Sequence, residues 1–152
     1  MKHLGQPAVR LQLLNRLTAL RPSMRPHWGS MTAHGMICHL ADSFRVAMGE
    51  RYASPATGVL QRSIMKWAAL YVPLHWPKGI RTRPEVEQGN GGTLPEDFRQ
   101  DHADLIRLVE TFAEPPFRFL RSAHPIFGSM REWEWLRWGF LHMDHHLRQF
   151  GV

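Results

Sequence analysis

The sequence predicts an all-α protein, a four-helix bundle with one long crossover between its second and third long helices. Apolar residues recur at helical spacing in four long segments, and Pro- and Gly-rich stretches separate these segments. Alternation of period two never lasts for more than a few residues, so no strand pattern competes. A length of 152 residues suits one domain with a buried core, and we expect residues 1–152 to form a single helical-bundle domain.

The first two long helices are delimited by their flanking residues. The first is predicted over Gln6–Leu20, where apolar residues recur every three or four positions and Pro22 follows. The second should run from about Met31 to Glu50, with Ser30 as its N-cap, because a serine hydroxyl there can accept a bond from a free backbone N–H group.

A long connection, residues 51–94, is predicted between the second and third long helices. It contains one short helix over about Leu60–Tyr71 and then a Pro- and Gly-rich loop. Because compact domains rarely tolerate a loop of this length without a use, we expect the loop over residues 72–92 to cover one end of the bundle.

Two capping boxes mark the last two long helices. Thr93-Leu-Pro-Glu96 has the spacing of one and predicts the start of the third long helix, which should end before Glu114 and the two prolines that follow. Ser129-Met-Arg-Glu132 has the spacing of the other and predicts a last helix that continues to about Gln149.

The composition is that of an ordinary globular protein. The hydrophobic fraction is 43% and the charged fraction 21%, which excludes a disordered chain. No apolar run reaches the roughly 20 residues that span a bilayer, and the first residues lack the pattern of a signal peptide. A single cysteine, Cys38, cannot form an internal disulfide. We therefore predict a cytoplasmic protein that does not insert into a membrane.

The net charge of +6 raises the question of anionic partners. The arginines are spread over the whole length among acidic residues, and no run of five or six basic residues forms an arm for nucleic acid. The charge would help to attract an anionic small molecule. We expect a solvated basic surface and no nucleic-acid partner, although a basic helical protein that associates with nucleic acid stays an alternative.

Histidines are the most distinctive feature, since the chain has ten and the last helix carries three within five residues. His142 and His146 are four residues apart and therefore lie one turn above each other, with Cβ atoms about 6 Å apart. Two imidazoles at that spacing can reach one metal ion at about 2.0–2.1 Å. The same spacing also occurs in histidines that only pack or lie at the surface. A metal site therefore requires a third ligand from elsewhere in the chain.

His39 is the best candidate for that third ligand. It lies midway along the second predicted helix, and its face carries small and medium side chains that would leave room for an ion and a substrate. Helix bundles commonly build metal sites from side chains on facing helices. The sequence therefore predicts a metal site formed by His39, His142 and His146.

The segments that carry these histidines resemble a known family. WGSMTAHGMICHLADSF near the start and LHMDHHLRQFG at the end look like the DinB-like (DinB/YfiT-like) superfamily, and more narrowly like an uncharacterised group within it. The pieces PLHWPKGIRTRPEVEQ, GTLPEDF and HPIFGSMREWEW are also similar to that group, so the resemblance covers most of the chain from Trp28 onward.

The resemblance implies a fold, a ligand set and a range of activities. It implies a four-helix bundle in which one histidine of the second helix and an HxxxH pair of the last helix bind a divalent ion. These positions are His39, His142 and His146 in this sequence. Members are frequently homodimers, and relatives include metal-dependent thiol transferases and hydrolases. The superfamily's name refers to damage induction and does not imply DNA binding.

Three neutral histidines without a fourth protein ligand would leave one coordination position open. An open position favours catalysis over a structural site, which is usually closed by four ligands. The ion would be zinc or nickel, with iron or manganese as alternatives, because imidazole suits all of them. We predict a metal-dependent hydrolase or thiol transferase that acts on a small molecule, and a non-catalytic metal- or ligand-binding module is the alternative.

Two residues near the predicted ligands have more than one possible role. His145 lies at the edge of the ligand face and is a partner of a ligand, an alternative ligand or a surface histidine. Asp42 lies one turn beyond His39. It either accepts a hydrogen bond from the second ring nitrogen of a ligating histidine, which would orient that ring, or faces solvent, which is the simpler interpretation. Asp144 points away from His146 and is excluded as a ligand.

The remaining candidates have plain structural readings. Cys38 and His34 do not share the face of His39, and Cys38 is expected to be a small buried residue. His124, before a proline in the loop that precedes the last helix, should cap or pack. The tryptophans of the last helix are expected in the core, although they could line a pocket. His75 and Trp76 would reach the site only if the long loop folds over it.

Overall fold

The computed structural model describes residues 1–55, 58–79 and 83–152, without the side chains of residues 59–61 and 120–121. Within these residues the chain is all-α, as predicted, and contains no strand longer than an isolated bridge. Positions 56–57 and 80–82 of the predicted crossover lie outside the described residues. The described part of the chain has five α-helices: α1 (Pro7–Ala19), α2 (Ala33–Ala47), α3 (Val59–Tyr71), α4 (Phe98–Ala113) and α5 (Glu132–Gln149). Two short 3₁₀ helices, Pro84–Val86 and Arg118–Arg121, lie in the connections.

The start of α2 corrects the sequence prediction. Thr32 is the N-cap, and its hydroxyl accepts a hydrogen bond from the backbone N–H of Gly35 at 2.9 Å. Ser30, the predicted cap, lies in a bend before the helix. Both residue types can cap, so the path of the preceding chain decided between them. The helix ends at Ala47 and not at Glu50, because Gly49 has a φ of 77° and turns the chain away.

Both predicted capping boxes are also wrong. The N-cap of α4 is Asp97, whose carboxylate accepts from the backbone N–H groups of Arg99 and Gln100 at 2.9 and 3.0 Å. The hydroxyl of Thr93 has other partners, because it donates to Asp42 on α2 and accepts from Arg51 at 3.1 Å. At α5 the N-cap is Arg131, and Glu134 accepts from its backbone N–H at 2.7 Å. The N-cap of α4 therefore lies four residues later than its box predicted, and that of α5 two residues later.

One hydrophobic core joins the helices. α2 packs against α4 and α5, while α1 and α3 pack against α5. Phe44 lies at the centre, with its ring centroid 4.9 Å from that of Phe112 and 5.7 Å from that of Trp138. Gly139 lets α5 approach this centre, since a Cβ atom there would lie 2.6 Å from Leu4. No helix of the described chain is both long and apolar enough to cross a membrane.

Asp42 holds the long connection against α2. Its side chain is fully buried and accepts hydrogen bonds from the backbone N–H and the hydroxyl of Thr93, both at 2.7 Å. Arg51 donates to the same carboxylate at 2.8 Å and also to the carbonyl of Gly91. Asp42 is therefore neither a solvent-facing acid nor a partner of His39, contrary to both readings from the sequence. It attaches the two ends of the connection to the core.

Candidate metal centre

The three predicted histidines come together where α2 faces α5. His39 of α2 and His146 of α5 are buried, and His142 of α5 is partly buried. One ring nitrogen from each of the three residues lies within 4.8 Å of the other two, so this group could hold a metal ion. The ring centroids are 4.9–5.1 Å apart in every pair.

The connection orients the imidazole of His39. Nδ1 of His39 lies 2.9 Å from the carbonyl oxygen of Val86, in the 3₁₀ helix of the connection. A carbonyl only accepts, so Nδ1 carries the proton and donates it. The lone pair of the neutral ring is therefore on Nε2, which faces His142. The same partnership of a ligand with a carbonyl is usual around protein-bound metals.

A chain of two hydrogen bonds orients His146 in the same way. Nε2 of Gln149 donates to the carbonyl of Trp28 at 2.7 Å, which fixes which end of the amide faces the histidine. Oε1 of Gln149 then accepts from Nδ1 of His146 at 2.9 Å. Nε2 of His146 consequently carries the lone pair.

His142 is oriented by ring packing. Its centroid lies 5.2 Å from that of Trp138 and 6.0 Å from that of Trp76, so its ring is bounded by two indoles. Nε2 of His142 lies 3.1 Å from Nε2 of His39. Nδ1 of His142 is buried and has no hydrogen-bond partner among the described residues.

The arrangement fits a divalent ion. Ligands at about 2.1 Å in a tetrahedral site are about 3.4 Å apart, close to the spacing of the His39 and His142 nitrogens. Burial lowers the pKa of His39, and burial followed by the neighbouring histidines lowers the pKa values of His142 and His146 further. The imidazoles are therefore neutral at neutral pH, which is the form that binds metals.

His124 caps a turn, which is one of the two roles predicted for it from the sequence. Its Nδ1 accepts from the backbone N–H groups of Ile126 and Phe127 at 3.1 and 3.2 Å, and its ring stacks on Phe127 with centroids 4.5 Å apart. Burial lowers the pKa of His124 from 6.5 to about 3. The folded protein therefore holds this imidazole neutral in the range where the unfolded chain takes up a proton.

This difference predicts a pH dependence of stability. Between pH 6.5 and about 3 the unfolded state binds more protons at His124, so the free energy of unfolding falls as the pH is lowered through this window. The contribution is at most about 1.4 kcal/mol per pH unit. Chelator-treated His124→Asn, which retains an acceptor, should show a shallower decline than wild type in urea unfolding between about pH 7 and about pH 5. Equal slopes for the two proteins would contradict the assignment.

A cavity of about 470 Å³ opens beside the histidines. We call it the apolar cavity, because its walls away from the histidines are mainly hydrocarbon. The residues that line the cavity come from α2, α3, the connection, the segment 124–127 and α5. The connection does fold over the site, since His75 and Trp76 both line the cavity and Nε1 of Trp76 donates to the Ala69 carbonyl at 2.9 Å.

The other residues singled out from the sequence lie outside the three-histidine group. His145 lines the cavity, with its ring centroid 5.7 Å from that of Trp28, and within the part of the chain that the structure describes its Nδ1 has no hydrogen-bond partner. Asp144 forms ion pairs with Arg16 at 2.6 Å and Arg148 at 3.1 Å on the outer face of α5, in agreement with its exclusion as a ligand.

A second cluster joins α2 to α4. His34 Nε2 lies 2.7 Å from a carboxylate oxygen of Asp101, and the thiol of Cys38 donates to the same oxygen at 3.6 Å. These three side chains also lie close enough together to hold an ion. Burial and then the charge of Asp101 raise the pKa of Cys38 to about 12. The thiol is therefore protonated, and Cys38 is buried as predicted.

Sequence reasoning missed Val86 and Gln149, whose oxygens hydrogen-bond the candidate ligands His39 and His146. Val86 contributes a main-chain carbonyl, which no side-chain pattern reveals. Gln149 follows His146 by three positions, so helical spacing places it on the same face and would have marked it as a partner. The sequence does not show whether Trp76 reaches the site, because the position of Trp76 depends on how the connection folds.

The fold and the cluster define a class: an all-α protein with a buried group of three histidines able to hold a metal ion. The chain belongs to the family described as protein of unknown function (DUF1569), whose model matches residues 10–151. Comparison with curated proteins and with solved structures finds no match.

Proposed function

We propose that this protein is an enzyme dependent on a divalent metal, a hydrolase or a thiol transferase, with the ion bound by His39, His142 and His146. One observation carries the proposal. Three neutral imidazoles converge at the wall of a cavity large enough for a small molecule, and two of them have their outer nitrogens fixed by acceptors.

The donor set suits zinc or nickel, and iron or manganese as alternatives. A divalent ion held by three imidazoles supplies Lewis-acid polarisation and lowers the pKa of a water or thiol that it binds. The chain's own contribution is to hold the protons at Nδ1 of His39 and His146, through Val86 and Gln149, so that both Nε2 atoms stay available. Trp76 and Trp138 keep the third imidazole in place and exclude water from its faces.

We extend the proposal to the superfamily and the assembly. The order of the long helices and the positions of the three histidines agree with a DinB-like four-helix bundle in which α3 belongs to the crossover. A homodimer follows from the same resemblance, and a sedimentation experiment on the purified chain tests it.

Metal analysis and activity assays test the proposed function. Protein purified without an affinity tag or chelator should contain about one ion per chain. After removal of the ion, reloading with zinc, nickel, iron or manganese should restore hydrolysis of activated esters or transfer of a small thiol to an electrophile. An ion that binds at full occupancy and supports neither reaction would favour a non-catalytic binding module. Protein that takes up no ion would contradict the proposal.

Gln149 offers a test of the orienting hydrogen bonds. Gln149→Met removes the acceptor of the His146 proton at nearly constant volume, so we expect metal affinity to fall about 10–100-fold in competition with a chromogenic chelator. Gln100→Met is the matched control, because Gln100 is an exposed residue of α4. Equal affinities for the two variants would show that the Gln149 bond does not orient a ligand.

A further inference from the structure

The walls of the apolar cavity indicate what kind of molecule it admits. Val46 and Ala47 of α2, Met65 and Ala68 of α3, and Pro125 and Ile126 before α5 line it with hydrocarbon. Its volume of about 470 Å³ lies within the range of pockets that bury small molecules. An occupant without polar atoms along its body would lose little solvation against these walls, whereas a polar body would leave unpaired groups.

The described lining offers no counterion for a charged body. Arg83 is its single permanently charged side chain among the described residues, and it is already paired. The guanidinium donates to the hydroxyl of Ser54 and has its Nε atom 3.9 Å from a carboxylate oxygen of Glu85. None of the described lining residues is acidic. A charged group inside the cavity would therefore be desolvated without compensation.

Four of the six lining histidines lie together at the candidate metal centre. His39, His142, His145 and His146 all lie in the lining, and the nearby hydroxyl of Ser43 is occupied because it donates to the His39 carbonyl at 2.8 Å. An occupant would consequently place its polar group at the histidines and its apolar part toward α3.

We propose that the substrate is a small molecule with an uncharged, predominantly apolar body and one polar reacting group at the end that faces the three histidines. This inference rests on the proposed function, because the reacting group is assigned to the metal end of the cavity. The apolar body is recognised by α2, α3 and the segment 124–127.

Straight-chain hydroxamates test the inference, because the hydroxamate group chelates divalent ions and the alkyl chain probes the cavity. Trp76 and Trp138 line the cavity, so tryptophan fluorescence reports binding. In zinc-loaded protein the dissociation constant should fall roughly fourfold per added methylene from acetohydroxamate toward octanohydroxamate. The monohydroxamate of suberic acid, which has a terminal carboxylate at the same chain length, should bind more weakly than octanohydroxamate. Affinity independent of chain length, or equal affinity for these two, would overturn the proposal.

Two neighbouring residues of α3 provide matched variants. Met65 lines the cavity and is 42% exposed, whereas Ile64 is 68% exposed and lies outside the lining. Met65→Asp should weaken octanohydroxamate about tenfold through desolvation of the new charge, and Ile64→Asp should leave it unchanged. Equal effects of the two substitutions would count against the cavity as the binding site.

A second series separates this inference from the proposed function. Straight-chain alkanols have no chelating group, so their binding to chelator-treated protein measures the cavity alone. If hydroxamates bind no more tightly than alkanols of equal length, the metal site fails while the dependence on length still supports an apolar occupant. If hydroxamates bind well at every length and alkanols do not bind, the metal site stands and the substrate class is wrong.

Discussion

His142→Ala should leave the purified protein without its metal ion. The substitution removes one of the three proposed ligands, and the two imidazoles that remain, on different helices, cannot hold the ion with comparable strength. The loss of affinity should exceed the roughly 10–100-fold effect of removing a hydrogen-bond partner of a ligand. His39→Ala and His146→Ala should behave alike, because each contributes one Nε2 atom to the same group. Metal content by mass spectrometry, with circular dichroism to show that each variant folds, gives the comparison.

His145→Ala is the control for these variants. His145 lies on the same helix between two of the ligands and lines the cavity, but it is outside the three-histidine group. We expect His145→Ala to keep the ion. If its metal content falls as far as that of His142→Ala, His145 is itself a ligand and the proposed set is incomplete. Unchanged metal content in all three ligand variants would contradict the site.

Asp42→Ala should lower the free energy of unfolding by about 3 kcal/mol. The substitution leaves the partly buried N–H and hydroxyl of Thr93 without an acceptor and removes the buried carboxylate that Arg51 contacts at 2.8 Å. Asp42→Asn retains one acceptor oxygen, so its loss should be smaller. Urea unfolding of chelator-treated proteins measures both losses without a contribution from metal binding.

Asp104→Ala is the matched control for Asp42. Asp104 also forms an ion pair with an arginine, Arg107, but on the surface of α4, where such pairs contribute less than about 1 kcal/mol. Asp42→Ala should also weaken metal binding, since Asp42 attaches the connection that carries the Val86 carbonyl. If Asp42→Ala lowers the free energy of unfolding no more than Asp104→Ala does, the connection does not depend on the Asp42 carboxylate.

Local sequence signals determined the helices but not where each one starts. The sequence predicted α3 over about Leu60–Tyr71 and the end of α5 at about Gln149, and the structure has α3 over Val59–Tyr71 and ends α5 at Gln149. The N-caps were wrong because several residues near each start can cap, and tertiary contacts chose among them. Thr93 shows the reason: its hydroxyl is bound to Asp42, so Asp97 caps α4 instead.

Spacing along one helix made two of the three candidate ligands predictable. A separation of four residues necessarily places His142 and His146 on one face, and a mid-helix histidine on a facing helix could supply the third donor. The structure brings these three together. The burial of Asp42 was not predictable, because nothing on α2 indicates that a loop 51 residues later supplies Thr93.

The sequence by itself therefore determined the all-α fold class and the pairing of His142 with His146, since both follow from the helical repeat, and it singled out His39 as the third candidate ligand. Only the tertiary structure decided what surrounds those histidines. The Val86 carbonyl, the indole of Trp76 and the cavity walls formed by α3 and the connection come from segments distant in sequence from the candidate ligands. Their positions depend on how the connection folds over the core, and local propensities carry no information about such long-range contacts.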